Sequence, residues 1–576
     1  MISPHKASES LTENFITNSS STITYFDQIQ ELVKLRNQQP AKSQSYSLYQ
    51  EHINTVYGRV RKKILSNTNP PSTSIKFGTS GWRGIIGDDI YCHSVGIVTQ
   101  AIINMYQSIG NNAQLDSELN VASFEETQRR GCVLGFDNRF GNEMLAIRII
   151  DVLTSNGIKV YYAGESSTGL LSASVLQRQA AFSINLTPSH NPLQYAGFKF
   201  NGADAGPASP VLTEEITRRA NLLISSNTTE SFSRNNSLIC PIKSLQDWVD
   251  LTTSGEQKHG LNYKAIINDF INNDAICVVI DCVHGASRVD IASFFNSFSS
   301  DRLQFLRTRE DTTFGGIAPE PSTTNMIPVV EALSTMRGPL KLGVIMDPDA
   351  DRIRFTDGTT EINMNYFGAM AYHYLHEKKH KNGMVAKTVA TSNFANAIAE
   401  QLNETVFEPK VGFKEFKPVI DKALVCFEES DGITIIGHTP EKDAYIGLLL
   451  ALDMTITLQM NLGDYLKTIQ QEYGEFYPDK DGVEVSEKGD TLINTLSGLS
   501  KYTKGSVIKV GEKDLAIKQV IDIDGFKFVF EDQSWLMIRP SGTEPKVRFY
   551  VEARNERQKE DLFAVAKKIL SDLGLV

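Results

Sequence analysis

The sequence predicts a multidomain α/β protein, three similar α/β domains followed by a smaller α+β domain, and three observations carry that reading. The chain of 576 residues is several times longer than one hydrophobic core supports. Between about Ser74 and Pro478, short apolar runs alternate with helical patterns in three successive rounds, the rhythm of α/β construction. Beyond Pro478 that rhythm gives way to short alternating strands closed by one amphipathic helix.

The opening segment, residues 1–73, is polar and rich in Ser, Thr and Asn. Its stretch YFDQIQELVKLRN puts Tyr25, Ile29, Leu32 and Val33 on one helical face, which predicts a peripheral helical extension. The first α/β domain, 74–245, alternates the apolar runs GCVLGF and IKVYYAG with the helical NEMLAIRIIDVLTSNG, and the polar SSNTTESFSRNNS lies near its end. The second, 246–358, restarts with AICVVIDCVHGAS and again with KLGVIMD. The third, 359–477, holds KNGMVAKTVATS, ALVCFEESDG and the helical AYIGLLLALDMTITLQM. In the last, 478–576, strands fill the stretch from VIKVG to WLMIRPSG, and a final helix carries Leu562, Val565, Ile569 and Leu573 on one stripe.

Composition excludes several function classes. There are 57 Lys plus Arg against 68 Asp plus Glu, a net charge of -11, which argues against nucleic acid or an anionic membrane as the main partner. No stretch approaches the roughly 18 apolar residues of a membrane span. The six cysteines, at 92, 132, 240, 277, 282 and 426, show no CxxC spacing, so neither a zinc site nor a disulfide scaffold is predicted. The N-terminus shows no basic region followed by an apolar run, and a reducing, cytoplasmic location is expected.

Five polar loops interrupt the apolar strands. In FGTSGWRG, at 77–84, small residues surround Arg83 and let backbone N–H groups of Thr79 and Ser80 approach a ligand, but the loop lacks the Gly-Lys-Ser/Thr ending of a nucleotide P-loop. In NLTPSHNP, at 185–192, Phe182, Ile184 and Leu186 alternate with polar residues, predicting a half-buried strand that delivers Ser189 and His190 at its end. That cluster is either a simple turn or a nucleophile site. Lys199, between Phe198 and Phe200, is expected to be solvated or else to have its ammonium pKa lowered for proton transfer. In DPDADR, at 347–352, an extended chain turns Asp347, Asp349 and Asp351 the same way, and three converging carboxylates call for a hard cation such as Mg²⁺. An EF-hand is excluded because its sixth position is Arg352 and its twelfth Gly358. FEESDG, at 427–432, offers Glu428 and Ser430 to vicinal hydroxyls. In RPSGTEP, at 539–545, Arg539, Ser541 and Thr543 around Gly542 compose an anion nest.

The ordered series GTSGWRG, TPSHNP, DPDADR, EESDG and RPSGTEP resembles the α-D-phosphohexomutase superfamily, within it the phosphoglucomutase/phosphomannomutase family, over about residues 74–576. The resemblance implies four domains around a central cleft, three sharing an α/β core. It implies that Ser189 is a phosphoserine; that Asp347, Asp349 and Asp351 with the serine phosphate hold Mg²⁺; that Arg83, Arg352, Thr79 and Ser80 steady the phosphoryl group; and that Lys199 and His190 move the proton. Glu428, Ser430 and Lys414 (in VGFKEF) would bind the sugar, and Arg539, Ser541, Gly542 and Thr543 the distant phosphate. The implied activity is an isomerase-class transfer between the 1- and 6-positions of a hexose phosphate, glucose for preference, with glucose 1,6-bisphosphate as intermediate and activator. Mannose, pentose and bisphosphate-synthase variants, or a catalytically weak phosphoprotein, are the alternatives; a monomer or dimer is expected. The Glu-Glu-Ser core sides with phosphoglucomutases and the DPDADR form with phosphoglucomutases and phosphopentomutases rather than phosphoglucosamine mutases, while Asp431 and Gly432 replace the Gly and His of the dual-specificity sugar loop.

Overall fold

The computed structural model describes residues 21–78, 81–226, 232–541 and 546–575. The chain divides into two compact units. One comprises the residues up to Glu256 with Leu261–Gly358 and His438–Ile456; the other comprises Gln257–Gly260, Thr359–Gly437 and the residues from Thr457 onward.

The first unit opens with two helices, Thr22–Asn37 and Gln44–Ser66, each started by a serine whose hydroxyl accepts an early backbone N–H, Ser21 from Ile23 and Ser43 from Tyr46. They are not peripheral: Phe26, Ile29, Leu32 and Val33 on the first, and Ile53, Val56, Val60 and Ile64 on the second, are buried in the same core cluster as the following sheet. Tyr25, expected on the buried face, is only half-buried, and Phe26 takes the core position.

That sheet runs in the order Phe77–Gly78, Gly81–Ile85, Tyr195–Asn201, Phe182–Leu186, Cys132–Phe136, Val160–Glu165, Ile239–Pro241. Its central strands are parallel, so both faces are covered by helices and strand Phe182–Leu186 is buried at every residue, not half-buried as its alternation predicts. The polar Ser183 and Asn185 are therefore interior. A second sheet pairs Ile353–Thr356 antiparallel to Leu340–Met346, which runs parallel to Ile276–Asp281, itself parallel to Leu303–Leu306. In both sheets the loops that carry Ser189 and the three aspartates leave the carboxyl ends of strands, the edge where α/β proteins bind ligands.

In the second unit, Val406–Phe407, Val385–Lys387, Val425–Glu428 and Gly432–Ile435 form one sheet in that order. A six-stranded antiparallel sheet follows, ordered Tyr477–Glu484, Lys546–Ala553, Trp535–Pro540, Phe526–Phe530, Lys513–Ile521, Val507–Val510. Helix Glu556–Asp572 covers it with Leu562, Val565, Ile569 and Leu570, while Leu573 lies past the helix end and is half-buried. Three α/β domains and a closing α+β domain are thus the architecture. Among the described residues, no single helix is long and apolar enough to cross a membrane.

Candidate active site

Ser189 leaves strand Phe182–Leu186 in the left-handed backbone region, at φ 56, and is buried. A non-glycine residue holds that conformation only where its surroundings dictate it. Here its N–H donates to Thr187 Oγ1 at 2.8 Å, and its hydroxyl donates to Asp347 Oδ2 at 2.7 Å. His190 Nδ1 lies 3.4 Å from the same hydroxyl. Arg83, on strand Gly81–Ile85, reaches the loop by donating from Nη1 to Asn191 Oδ1 at 2.8 Å. That strand passes close to its neighbour because residue 81 is glycine: a Cβ there would meet the Phe198 carbonyl oxygen at 2.6 Å. Thr79 and Ser80 lie outside the described residues.

Asp347, Asp349 and Asp351 do converge, all three buried with carboxylate oxygens within 4.8 Å of one another. The route is not the extended chain that their spacing suggests. Strand Leu340–Met346 stops at Met346, and a turn closes with the Ala350 N–H donating to the Asp347 carbonyl at 2.9 Å and Ala350 itself at φ 48. Asp347 Oδ1 accepts the N–H groups of Asp351 and Arg352, which fixes that carboxylate against the turn.

Lys199 Nζ donates to Asp349 Oδ2 at 2.6 Å and to Asp351 Oδ2 at 3.0 Å, and Lys442 Nζ lies 3.2 Å from Asp351 Oδ2. The expected lowering of the Lys199 pKa is overturned. Burial works against its charge, but Asp349, Asp351 and Glu441 outweigh burial and hold the ammonium above its ordinary value. The aspartates divide in consequence. Burial and the two neighbouring carboxylates push Asp347 up, whereas Asp351 is pushed up by burial but driven down further by Lys199, Lys442 and Arg352. The Arg352 and Arg83 guanidiniums, with burial, push His190 well down, so its imidazole is neutral at pH 7.

The residues fit a divalent cation. Asp349 Oδ1 and Asp351 Oδ1 are buried with no hydrogen-bond partner among the described residues, the Arg352 Nε lying 3.8 Å from the latter. Buried carboxylate oxygens of this kind are costly unless a cation meets them.

Four further residues here escaped the sequence reading. Asp137 and Arg139 follow the apolar run GCVLGF at a strand end, the same signal as the other loops. Arg139 ion-pairs with Asp137 at 3.6 Å, and Asp137, pushed up to about 6 by burial, accepts the Thr187 hydroxyl at 2.7 Å. Thr168 donates its hydroxyl to Asp349 Oδ2 and its N–H to the Asp349 carbonyl, each at 2.8 Å. Lys442 belongs to the charged run PEKDAY, whose Ala444 N–H donates to the Ala350 carbonyl and so seats the segment on the aspartate turn.

In the second unit, strands Val425–Glu428 and Gly432–Ile435 form a hairpin with Asp431 at φ 69. Ser430 Oγ donates to Glu428 Oε1 at 2.9 Å, so these two predicted residues act as one polar surface. Glu429 points elsewhere, accepting Thr388 Oγ1 at 3.1 Å. Lys414 is half-buried on the turn Phe413–Phe416. Arg539, on strand Trp535–Pro540, is 3.1 Å from Asp524 Oδ2, and the Ser541 N–H donates to the Lys546 carbonyl. Gly542 and Thr543 lie outside the described residues.

Phosphoglucomutase/phosphomannomutase alpha/beta/alpha domains I, II and III match residues 74–224, 260–360 and 363–473, and the C-terminal domain matches 503–568. A phosphoglucomutase of Staphylococcus haemolyticus is 26% identical, over 83% of this chain and 90% of its own length. The structure of a candidate phosphomannomutase from Thermus thermophilus superposes with TM-score 0.69 at 23% identity, covering 87% of this chain and 100% of its own. An N-acetylphosphoglucosamine mutase of Aspergillus fumigatus, solved with GlcNAc-6P and magnesium, gives 0.51 at 12%, covering 89% and 98%. The chain belongs to the phosphoglucomutase/phosphomannomutase family of α-D-phosphohexomutases, isomerase-class phosphotransferases.

Proposed function

We propose that the protein interconverts α-D-glucose 1-phosphate and glucose 6-phosphate, with Ser189 carrying the phosphoryl group between turnovers and glucose 1,6-bisphosphate as the intermediate and activator. The observation that carries this reading is the buried Ser189 hydroxyl, set at a strained turn 2.7 Å from one of three converging aspartates. The sugar is the finer part of the proposal and is supported by the Glu428-Glu429-Ser430 run and the relative from Staphylococcus haemolyticus.

Asp347, Asp349 and Asp351 would hold Mg²⁺, the ion found with the Aspergillus mutase. Bound there, it would neutralise charge on the phosphoryl oxygens. Arg83 and Arg352 add positive charge to the same side, and Lys199 balances the aspartates. In the forward half-reaction the bond from phosphorus to Ser189 Oγ breaks as a bond to the sugar O6 forms. The O6 proton passes to the neutral imidazole of His190. Ser189 Oγ leaves as an alkoxide and takes that same proton from His190, whose Nδ1 lies 3.4 Å away, as its hydrogen bond to Asp347 re-forms and the imidazole returns to neutral. Glu428 and Ser430, with Lys414, would bind the sugar, and Arg539, Ser541, Gly542 and Thr543 the phosphate that is not reacting. The second half-reaction returns the 1-phosphate to Ser189. The six unpaired cysteines support a reducing, cytoplasmic setting.

Coupled assays of the purified protein with Mg²⁺ and a trace of glucose 1,6-bisphosphate, across glucose, mannose, glucosamine and ribose 1-phosphates, test the sugar. The highest kcat/KM belongs to glucose 1-phosphate; a clear preference for another sugar overturns that choice and leaves the mutase reading standing.

A further inference from the structure

The Ser189 loop is held from behind by a residue that the proposed chemistry does not use. Arg139 is buried, and its guanidinium donates to three carbonyls of the loop: Ser189 at 2.6 Å, Pro192 at 2.8 Å, and Asn191. Ser189 is buried in a left-handed turn past the strand end, and a buried carbonyl needs a donor, which Arg139 supplies; the same guanidinium also reaches half-buried Asn191 and exposed Pro192, whose carbonyl accepts the Tyr195 N–H at 3.1 Å as well. A planar fork presents N–H groups from separate nitrogens to the three, whereas a lysine's donors all leave one nitrogen.

Arg139 is itself backed by Phe314, whose ring centre lies 5.1 Å from the guanidinium carbon. Phe314 adopts a left-handed conformation, φ 51, in the loop Asp311–Gly316. The first two helices hold that loop. Asn37 Nδ2 donates to the Gly315 carbonyl at 2.8 Å, Arg36 Nη2 lies 3.7 Å from Asp311 Oδ2, and Tyr57 stacks at 4.2 Å on Phe140, the neighbour of Arg139. The approach is close enough that a Cβ on Gly316 would meet Val33 Cγ1 at 2.8 Å. The family matches begin at residue 74, so neither helix lies within them.

We propose that Arg139 is a positioning residue that holds Ser189 in its reactive conformation, and that the helix pair Thr22–Asn37 and Gln44–Ser66 supports it through the Phe314 loop. The proposal rests on Ser189 being the phosphate carrier. It makes the N-terminal extension part of the catalytic apparatus without any contact to substrate.

The test measures the single-turnover transfer of radiolabelled phosphate from glucose 1,6-bisphosphate to Ser189 in the full-length protein, at saturating and limiting ligand. Arg139→Lys is expected to slow transfer at saturation by about a hundredfold, and Phe314→Leu and the Arg36→Gln, Asn37→Ala double variant by about five- to tenfold, since small misplacements of a reacting atom are expensive. The half-saturating concentration stays within twofold of wild type, which general loosening of the fold would not preserve. Transfer at the wild-type rate in Arg139→Lys overturns the proposal. Should that variant fail to fold, wild-type transfer in both Phe314→Leu and the double variant overturns it equally. A parallel rise in the half-saturating concentration marks loosening and overturns it as well. A wild-type protein that never labels Ser189 refutes the carrier reading, and this proposal with it.

Discussion

The hydroxyl of Ser189 and the carboxylate of Asp347 are 158 positions apart in the chain and 2.7 Å apart in space. Ser189→Ala keeps the volume of the turn but removes the proposed phosphate carrier, so mutase turnover should fall at least about a thousandfold in the coupled assay. Full activity in that variant would end the assignment. Asp349→Asn removes one charge from the cation site beside Thr168, and titration calorimetry should show Mg²⁺ binding weakened by at least about tenfold. Chelation with EDTA should abolish activity and added Mg²⁺ restore it. Lys199 shows where reasoning residue by residue goes astray. Its aromatic neighbours, Phe198 and Phe200, suggest an apolar setting, but alternate residues of a strand face opposite ways, and the face that Lys199 shares is that of Asp349 and Asp351.

At the scale of elements, the paired strands and helices follow from periodicity, while the junctions between them follow from buried charge. In the second unit, Glu408 sits between two lysines, 2.7 Å from Lys387 Nζ and 3.4 Å from Lys527 Nζ, and Lys527 also donates to the Val389 carbonyl. Burial pushes the Glu408 carboxyl up, but the two ammoniums outweigh it and hold it at about 2, below the ordinary 4.5. A carboxylate with a depressed folded value contributes stability above its unfolded value and loses it as pH falls. Glu408→Gln should therefore destabilise the second unit by about 3 kcal/mol at pH 7 in denaturant unfolding, with the difference from wild type shrinking between pH 4.5 and 2. A difference constant across that range would show that the ion pairs carry none of it. The DPDADR turn teaches the complementary lesson. That its three aspartates converge was legible from spacing, yet the left-handed Ala350 that brings them together has no sequence signal, because alanine rarely adopts that conformation.

Across the whole molecule, the aspartate cluster and the Ser189 loop belong to one compact unit, and the hairpin of Glu428 and Ser430 with Arg539 to the other. The unit that carries Ser189 includes His438–Ile456, a segment far along the chain whose Lys442 reaches Asp351. It also includes the first two helices, whose buried Phe26, Leu32, Ile53 and Val60 close one side of its core. Expression without residues 1–70 should lower the first unfolding transition by at least about 10 °C in calorimetry, because that apolar surface is then returned to water. A wild-type transition in the truncated chain would restore the reading of a peripheral extension.

The amino-acid sequence alone determined the fold class, the order of the five polar loops, the residue types proposed to hold phosphate and cation, and through the loops the family. These are properties of neighbours along the chain: periodicity declares strand or helix, and a polar cluster after an apolar run declares a loop at a strand end. What only the tertiary structure decided is how distant charges meet. The charge held on Lys199, the neutrality of His190, the seating of Lys442 on the aspartate turn, and the grip of Arg139 on three carbonyls of the Ser189 loop all arise from groups separated by tens to hundreds of positions. A side chain's electrostatic environment is set by distance in space and by exclusion of water, and neither is written in its local sequence.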